Sequence, residues 1–173
     1  MTPENSSEPI FIQGPVCPVP HYPADTIVMG HGSGGQMTHD LIQNIFQSQL
    51  GNEFLAEGND SARIMLQQHH GQMAISTDSH VISPLFFPGG DIGKVAVCGT
   101  VNDVATSGAQ PAFLTAGFII EEGFPIESLQ KIVNSMAEAC REAGVKVVAG
   151  DTKVVERGSA DGIFINTAGF GII

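Results

Sequence analysis

Residues 113–150 read FLTAGFIIEEGFPIESLQKIVNSMAEACREAGVKVVAG, and their pattern sets the fold class. FLTAGFII (113–120) is an apolar run of strand length. Pro125 then suits a first helical turn, Leu129, Ile132, Val133, Met136 and Cys140 recur on one helical face, and Gly144 closes the helix. VKVVAG (145–150) returns to an apolar strand. A strand, an amphipathic helix and a second strand follow one another with short connections, so helices and sheet belong to one unit.

The same reading extends outward. IFINTAGFGII (163–173) is a further strand, and DIGKVAVCGTVNDVATSG (91–108) is a helix with Asp91 as N-cap and Gly108 as terminator. Its many small residues let another backbone approach closely. ARIML (62–66) and MAIST (73–77), separated by the polar QQHHGQ, read as an antiparallel pair. Near the start, the apolar run TIVM reads as a strand and is followed by the loop GHGSGG and then by Leu41, Ile42, Ile45, Phe46 and Leu50 at helical spacing, with Gly51 at the end. The expected class is α+β with a mixed sheet. Residues 1–25 carry six prolines, which block both helix and ladder, so they are expected to form a disordered leader before a single domain over 26–173.

With 173 residues, 42% hydrophobic, the chain can bury one good core. Its net charge of -11, from 18 acidic and 7 basic side chains, argues against nucleic acid or an anionic membrane as partner. Cys17, Cys98 and Cys140 are widely spaced and odd in number, which fits a reducing compartment better than a disulfide framework or a zinc site. No targeting signal or bilayer-spanning run is visible, so the expected location is cytoplasmic.

Four glycines within GHGSGG (30–35) free the backbone for positive φ and leave amides and Ser33 near a helix start, a natural anion site formed by Gly32, Ser33, Gly34 and Gly35. The counterpart is a set of aspartates flanked by small residues: Asp60 in GNDSA, Asp78 in STDS, Asp103 in VNDVA and Asp151 in AGDT. Magnesium accepts a few carboxylates together with waters and substrate phosphates, so these acids facing the loop would bind Mg-nucleotide from both sides. Each aspartate taken singly is also a common cap or turn residue. A Walker A loop is excluded, because Gln36 and Met37 follow Gly35 where Lys and Ser or Thr are required. GHGSGG matches GxGxxG, but GNEFLAEGND after it is not a strand ending in a ribose-binding acid, which opposes a dinucleotide fold.

HGSGG, GNDSA, STDSHVISPLFFPGGDIGKVAVCGTVNDVATSGA, GFIIEEGFP and GDTKVVERG together resemble the HypE family of hydrogenase maturation factors, the carbamoyl dehydratases. That family falls within a wider group with aminoimidazole ribonucleotide (AIR) synthetase, selenophosphate synthetase and thiamine monophosphate kinase. The resemblance runs from about Met29 to the end. It implies an AIR-synthase-like N-terminal domain with a mostly antiparallel sheet covered by helices. It further implies a homodimer whose sheets pair into a barrel, with ATP beside the interface. The implied chemistry is transfer of the γ-phosphoryl group to the oxygen of a protein S-thiocarboxamide, then loss of phosphate to leave a thiocyanate, the source of the cyanide ligand of a NiFe centre. The carbamoyltransferase HypF and a HypC–HypD complex are the implied partners.

Carried over by motif, Asp60, Asp78, Asp103 and Asp151, with Asn102, match the group's Mg-ATP acids, and Lys153 in GDTKVVERG matches a lysine for proton transfer or phosphate stabilisation. Without the resemblance, Lys153 reads as a solvated lysine and His31 as a polar turn residue or a phosphate contact. Phe86 and Phe87 read as core residues, ahead of adenine stacking or a dimer surface, while Cys98 and Cys140 read as packing residues. Family members continue into a second α/β domain with a cysteine tail that nothing here matches, and Cys17 in GPVCPVPHYP takes no catalytic role. The expectation is therefore an ATP-binding, dimerising domain inactive on its own. The alternatives are a non-catalytic interaction module and another AIR-synthase-like ATP-dependent enzyme.

Overall fold

The computed structural model describes residues 25–59, 62, 64 and 72–173. The proline-rich leader, Cys17 and Asp60 lie outside the described residues, as does most of the ARIML strand expected to pair with MAIST.

Among the described residues, four strands form one sheet in the order β1 (Met73–His80), β6 (Ile163–Ile172), β4 (Gln110–Glu121), β5 (Lys146–Val155). The β1–β6 and β6–β4 pairs are antiparallel and only β4–β5 is parallel, because the long helix α4 (Ile126–Ala143) carries the chain back across the sheet. The mixed, mostly antiparallel sheet expected from the sequence is thus present. A separate two-stranded hairpin, β2 (Phe86–Phe87) with β3 (Gly90–Asp91), precedes α3 (Ile92–Thr106). Phe86 is 41% exposed there and Phe87 is partly buried, so the reading of this pair as core residues is corrected: a two-residue hairpin arm cannot reach the interior.

Helix boundaries follow the sequence signals. Asp91 accepts hydrogen bonds from the amides of Gly93 (2.7 Å) and Lys94 (3.1 Å), which satisfies two orphan donors of α3. Pro125 precedes α4, and Gly144 ends it in the left-handed region at φ 68°. The first helix begins as α1 (Gln36–Leu41), widens into a π-helical stretch (Ile42–Gln47) and ends as α2 (Ser48–Leu50). The wider turn carries both Ile45 and Phe46 inward, and the Phe46 ring packs 4.8 Å from that of Phe118 on β4. TIVM, expected as a strand, makes only an isolated bridge at Thr26. Ile27 exchanges backbone bonds with Gly123 and Phe124 instead and is fully buried.

Among the described residues, α3, α4 and the first helix pack on one face of the sheet. The core between the layers is built from Leu114, Ala116, Phe118 and Ile120 of β4, Ile163 and Ile165 of β6, Ile92, Ala96 and Val97 of α3, and the buried stripe of α4 through Leu129, Ile132, Val133 and Met136. Small residues set the approach. A Cβ on Gly93 would collide with the Ile132 carbonyl of α4, and a Cβ on Gly169 of β6 would lie 2.7 Å from Thr100 Cγ2 of α3. The opposite face of the sheet carries Met73 (51% exposed), Ile75 (62%) and Ile119 (43%).

Candidate functional site

Strand register decides where the acids go. Asp78 pairs with Thr167, Thr167 with Ala116 and Ala116 with Gly150, so Asp78 points to the helix-covered side. Asp151 lies in the next row, opposite Gly117, Asn166 and Ser79, on the other side. The two aspartates sit on β1 and β5, the two ends of the strand order and three strand spacings apart, roughly 14 Å. The acids expected to face the glycine loop together are therefore divided, among the described residues, between two poles in one chain. Among the described residues, no group of three or more His, Cys, Asp or Glu side chains is placed to hold a metal.

The first pole lies where β1 meets α3. Asp78 Oδ1 accepts from the Ser79 amide at 2.8 Å, and Oδ2 lies 3.7 Å from Nε2 of the buried His80. Gly99 of α3 leaves room there, since a Cβ on it would come within 3.4 Å of Asp78 Oδ2. One helical turn on, Asp103 accepts from Ser76 Oγ at 3.2 Å, and Ser76 shares the helix-facing side of β1 with Asp78. Asn102 is exposed beside it. Two half-open carboxylates on facing elements fit what magnesium takes from a protein when phosphates and waters supply the rest.

The second pole lies along β5. Asp151 Oδ1 accepts from the Thr152 amide (2.9 Å) and from Lys153 Nζ (3.2 Å), both side chains being largely exposed. Such an exposed pair contributes little stability, which leaves the ammonium free to serve a ligand. A cleft of about 230 Å³ opens beside this strand. Ile42, Phe46 and Phe118 form its apolar wall, and Thr38, Asn59, Asp151 and Thr152 are among its polar lining residues. Gly58 and Asn59 of the GND motif and Gly150, Asp151 and Thr152 of the AGDT stretch line this cleft, whereas the glycine loop lies farther along β5, outside the lining. Gly32 sits directly on β5, where a Cβ would lie 2.6 Å from the Val154 nitrogen.

The loop itself is knitted internally. Ser33 Oγ and Thr38 Oγ1 both donate to the Gly30 carbonyl, and Thr38 Oγ1 accepts from the Gly34 amide. His31 Nδ1 accepts from the Val28 amide at 3.0 Å, so this ring supports the turn. Cys140 is buried in the core, and Cys98 is partly buried and packed against it, as their spacing suggested. Ser76 and His80 beside Asp78, with the fully buried Thr100 and Thr167 behind them, are the neighbours of this pole that sequence reasoning missed. Period-two spacing alone puts Ser76 and His80 on the face of Asp78, and that signal was available.

The model of the AIR synthase related protein family, N-terminal domain, matches residues 58–173. The chain belongs to this family. Within the AIR synthase related group it is similar to the hydrogenase expression/formation protein HupE of Azotobacter chroococcum (58% identity) and the carbamoyl dehydratase HypE of Azotobacter vinelandii (57%), each over 148 residues. Each alignment covers 86% of this chain and 43% of the relative, so the chain spans less than half the length of these curated relatives. The crystal structure of the hydrogenase maturation protein HypE in complex with ATP superposes with a TM-score of 0.81 at 51% identity, covering 84% of this chain and 43% of that one. A HypE–HypF complex gives a TM-score of 0.59 at 59% identity over 77% of this chain and 42% of that one.

Proposed function

We propose that the chain is the nucleotide-binding and dimerising N-terminal domain of a carbamoyl dehydratase of hydrogenase maturation, which uses ATP to convert a protein S-thiocarboxamide into a thiocyanate. The observation that carries the reading is the 51% identity and TM-score of 0.81 with a HypE structure that holds ATP. Asp78 and Asp103 would hold Mg2+, and the bound ion would offset charge on the transferring phosphoryl group. Asp151 and Thr152 would line the nucleotide cleft and the loop Gly32–Gly35, seated on β5 at Val154, would offer its amides to the phosphates, with Asn102 beside the metal pole and Asp60 as a further acid of the set. Lys153 stands on the same strand as Asp151 with its ammonium exposed, suited to a phosphate oxygen or a proton in transit. The open face of the sheet would pair with a second copy, which sets the nucleotide beside the interface. HypF is the proposed partner, on the ground of the related HypE–HypF complex, with HypC–HypD as a further one.

A thermal shift with Mg-ATP tests this reading. At 100 times the dissociation constant, bound ligand adds about 2.7 kcal/mol of stability, enough to raise the melting temperature by several degrees. Asp78→Asn should remove the shift without lowering the melting temperature of the free chain. A second reading, a non-catalytic interaction module, draws on the exposed apolar face with Ile75 at 62% exposure. Dimer formation with no Mg-ATP shift, even after titration with the C-terminal domain of a relative, would favour it.

A further inference from the structure

We infer that Asn166 and Lys153 seat a carbamoyl group between them over Gly117, and that Asn166 Oδ1 selects this group by accepting a hydrogen bond from its NH2. The inference deepens the dehydratase reading and rests on it for the substrate.

Ser79, Asn166, Gly117 and Asp151 stand opposite one another on successive strands, one row across the face that carries no helix among the described residues. Ser79, Asn166 and Asp151 are exposed. The neighbouring rows are mostly apolar, with Thr115 and Ala168 on one side and Ile119 and Phe164 on the other. Gly117 interrupts the polar row for no reason internal to the fold. Its φ lies outside the left-handed region, and an added Cβ would meet nothing nearer than the Asn166 carbonyl oxygen at 3.9 Å, an ordinary contact. The bare position leaves a slot two strand spacings wide, roughly 10 Å between the Asn166 and Asp151 backbones.

The two walls of the slot have opposite hydrogen-bonding character. Asn166 Nδ2 lies 2.9 Å from the Asp78 carbonyl oxygen, which only accepts, so this atom is the nitrogen of the amide. Its second hydrogen goes to Ser79 Oγ, also at 2.9 Å, with Thr77 Oγ1 a more distant neighbour at 3.4 Å. All three partners are on β1. The planar amide therefore turns Oδ1 away from β1, as an acceptor with no donor among the described residues. On the far wall, Lys153 Nζ leans back to Asp151 Oδ1 at 3.2 Å, which brings the ammonium into the Asp151 row as a donor. A donor facing an acceptor across a bare floor fits a neutral group with C=O at one end and N–H at the other. A carbamoyl group has that order, its oxygen facing Lys153 and its NH2 facing Asn166, and the proposed S-thiocarboxamide supplies one. Ser79 stands four residues from Ile75, about 13 Å along β1, so a second copy seated on Ile75 need not cover the slot.

Two cysteine derivatives test the slot: N-acetyl-S-carbamoylcysteine methylamide and its S-acetyl counterpart, in which CH3 replaces NH2. In 1H–15N NMR titrations of the whole chain, the carbamoyl compound should move the Gly117 amide and Asn166 side-chain signals and bind about tenfold tighter than the acetyl one. Asn166→Ala should erase that preference, whereas a purely structural Asn166 would leave the ratio of the two affinities unchanged. Gly117→Val, whose side chain suits an exposed strand position, should keep the melting temperature and lose the carbamoyl compound. Equal affinities in the wild-type chain, a preference that survives Asn166→Ala, or full binding by a folded Gly117→Val chain overturns the inference. Absence of binding by both compounds overturns it too. The Mg-ATP thermal shift of the wild-type chain then separates the causes: with the shift present the slot alone is wrong, and with the shift absent the nucleotide-domain reading falls with it. Should Gly117→Val fail to fold, the wild-type preference and its loss in Asn166→Ala decide.

Discussion

Cys140 sits on the buried face of α4, where its surroundings act on its chemistry. Burial, and then the nearby Cys98, pushes the Cys140 thiol up from 9.0 to about 11, with Arg141 pulling weakly the other way. The neutral thiol is therefore the form the fold favours, and a reactive thiolate is suppressed at neutral pH. Because the folded value lies above the ordinary one, the contribution to stability is intact below pH 9.0 and is lost between there and about 11, as the unfolded chain releases its proton first. Urea unfolding should show this as a fall on the order of 2 kcal/mol over that window, beyond the fall in Cys140→Ala. Equal pH dependence in both proteins would contradict the assignment. The packing role of Cys140 was legible from its place on an apolar helical face. The face of His80 was legible from alternation, but its contact with Thr167 was not, because a lone histidine in STDSHV gives no hint of a threonine on a strand far along the chain.

For α3, the deciding feature is closeness to α4. Ordinary helix propensity favours alanine over glycine by about 1 kcal/mol. At Gly93, however, a Cβ would meet the Ile132 carbonyl, with Met136 Cγ at 2.9 Å and the capping Asp91 Oδ1 at 3.0 Å. Backbone cannot yield as a side chain does, so Gly93→Ala should destabilise by about 1–3 kcal/mol in urea unfolding despite the better propensity. A gain in stability would refute the close-packing argument. Asp91→Ala removes two capping bonds only and should cost about 1 kcal/mol. The bounds of α3 and α4 were readable because caps and terminators are local chemistry: Asp91, Pro125 and Gly144 act within a turn. The β2–β3 hairpin and the π-helical stretch escaped notice, since two-residue strands have no periodicity and one extra residue per turn leaves a helical pattern almost unchanged.

At the scale of the molecule, register separates residues that look alike in sequence. Asp78 in STDS and Asp151 in AGDT have similar neighbours, yet strand order places them at opposite ends of the sheet and alternation places them on opposite faces. Local context could mark each as a site candidate; only the order β1-β6-β4-β5 tells which elements each one faces. Among the described residues, the same order leaves a sheet face without helices, carrying Met73, Ile75 and Ile119 toward solvent. Exposed apolar side chains spread over one sheet face favour pairing with another apolar surface. If two copies join through it and the nucleotide lies beside the join, a charge at Ile75 should disrupt both. Ile75→Lys should halve the mass seen by light scattering and also shrink the Mg-ATP thermal shift. Lys131→Ala, on the exposed side of α4 where Lys131 pairs with Glu127, should leave both unchanged. Retention of the dimer by Ile75→Lys would exclude this face as the interface. Loss of the dimer with a full Mg-ATP shift would instead place the nucleotide site wholly within one chain, where Asp78 and Asp151 cannot share one ion across roughly three strand spacings.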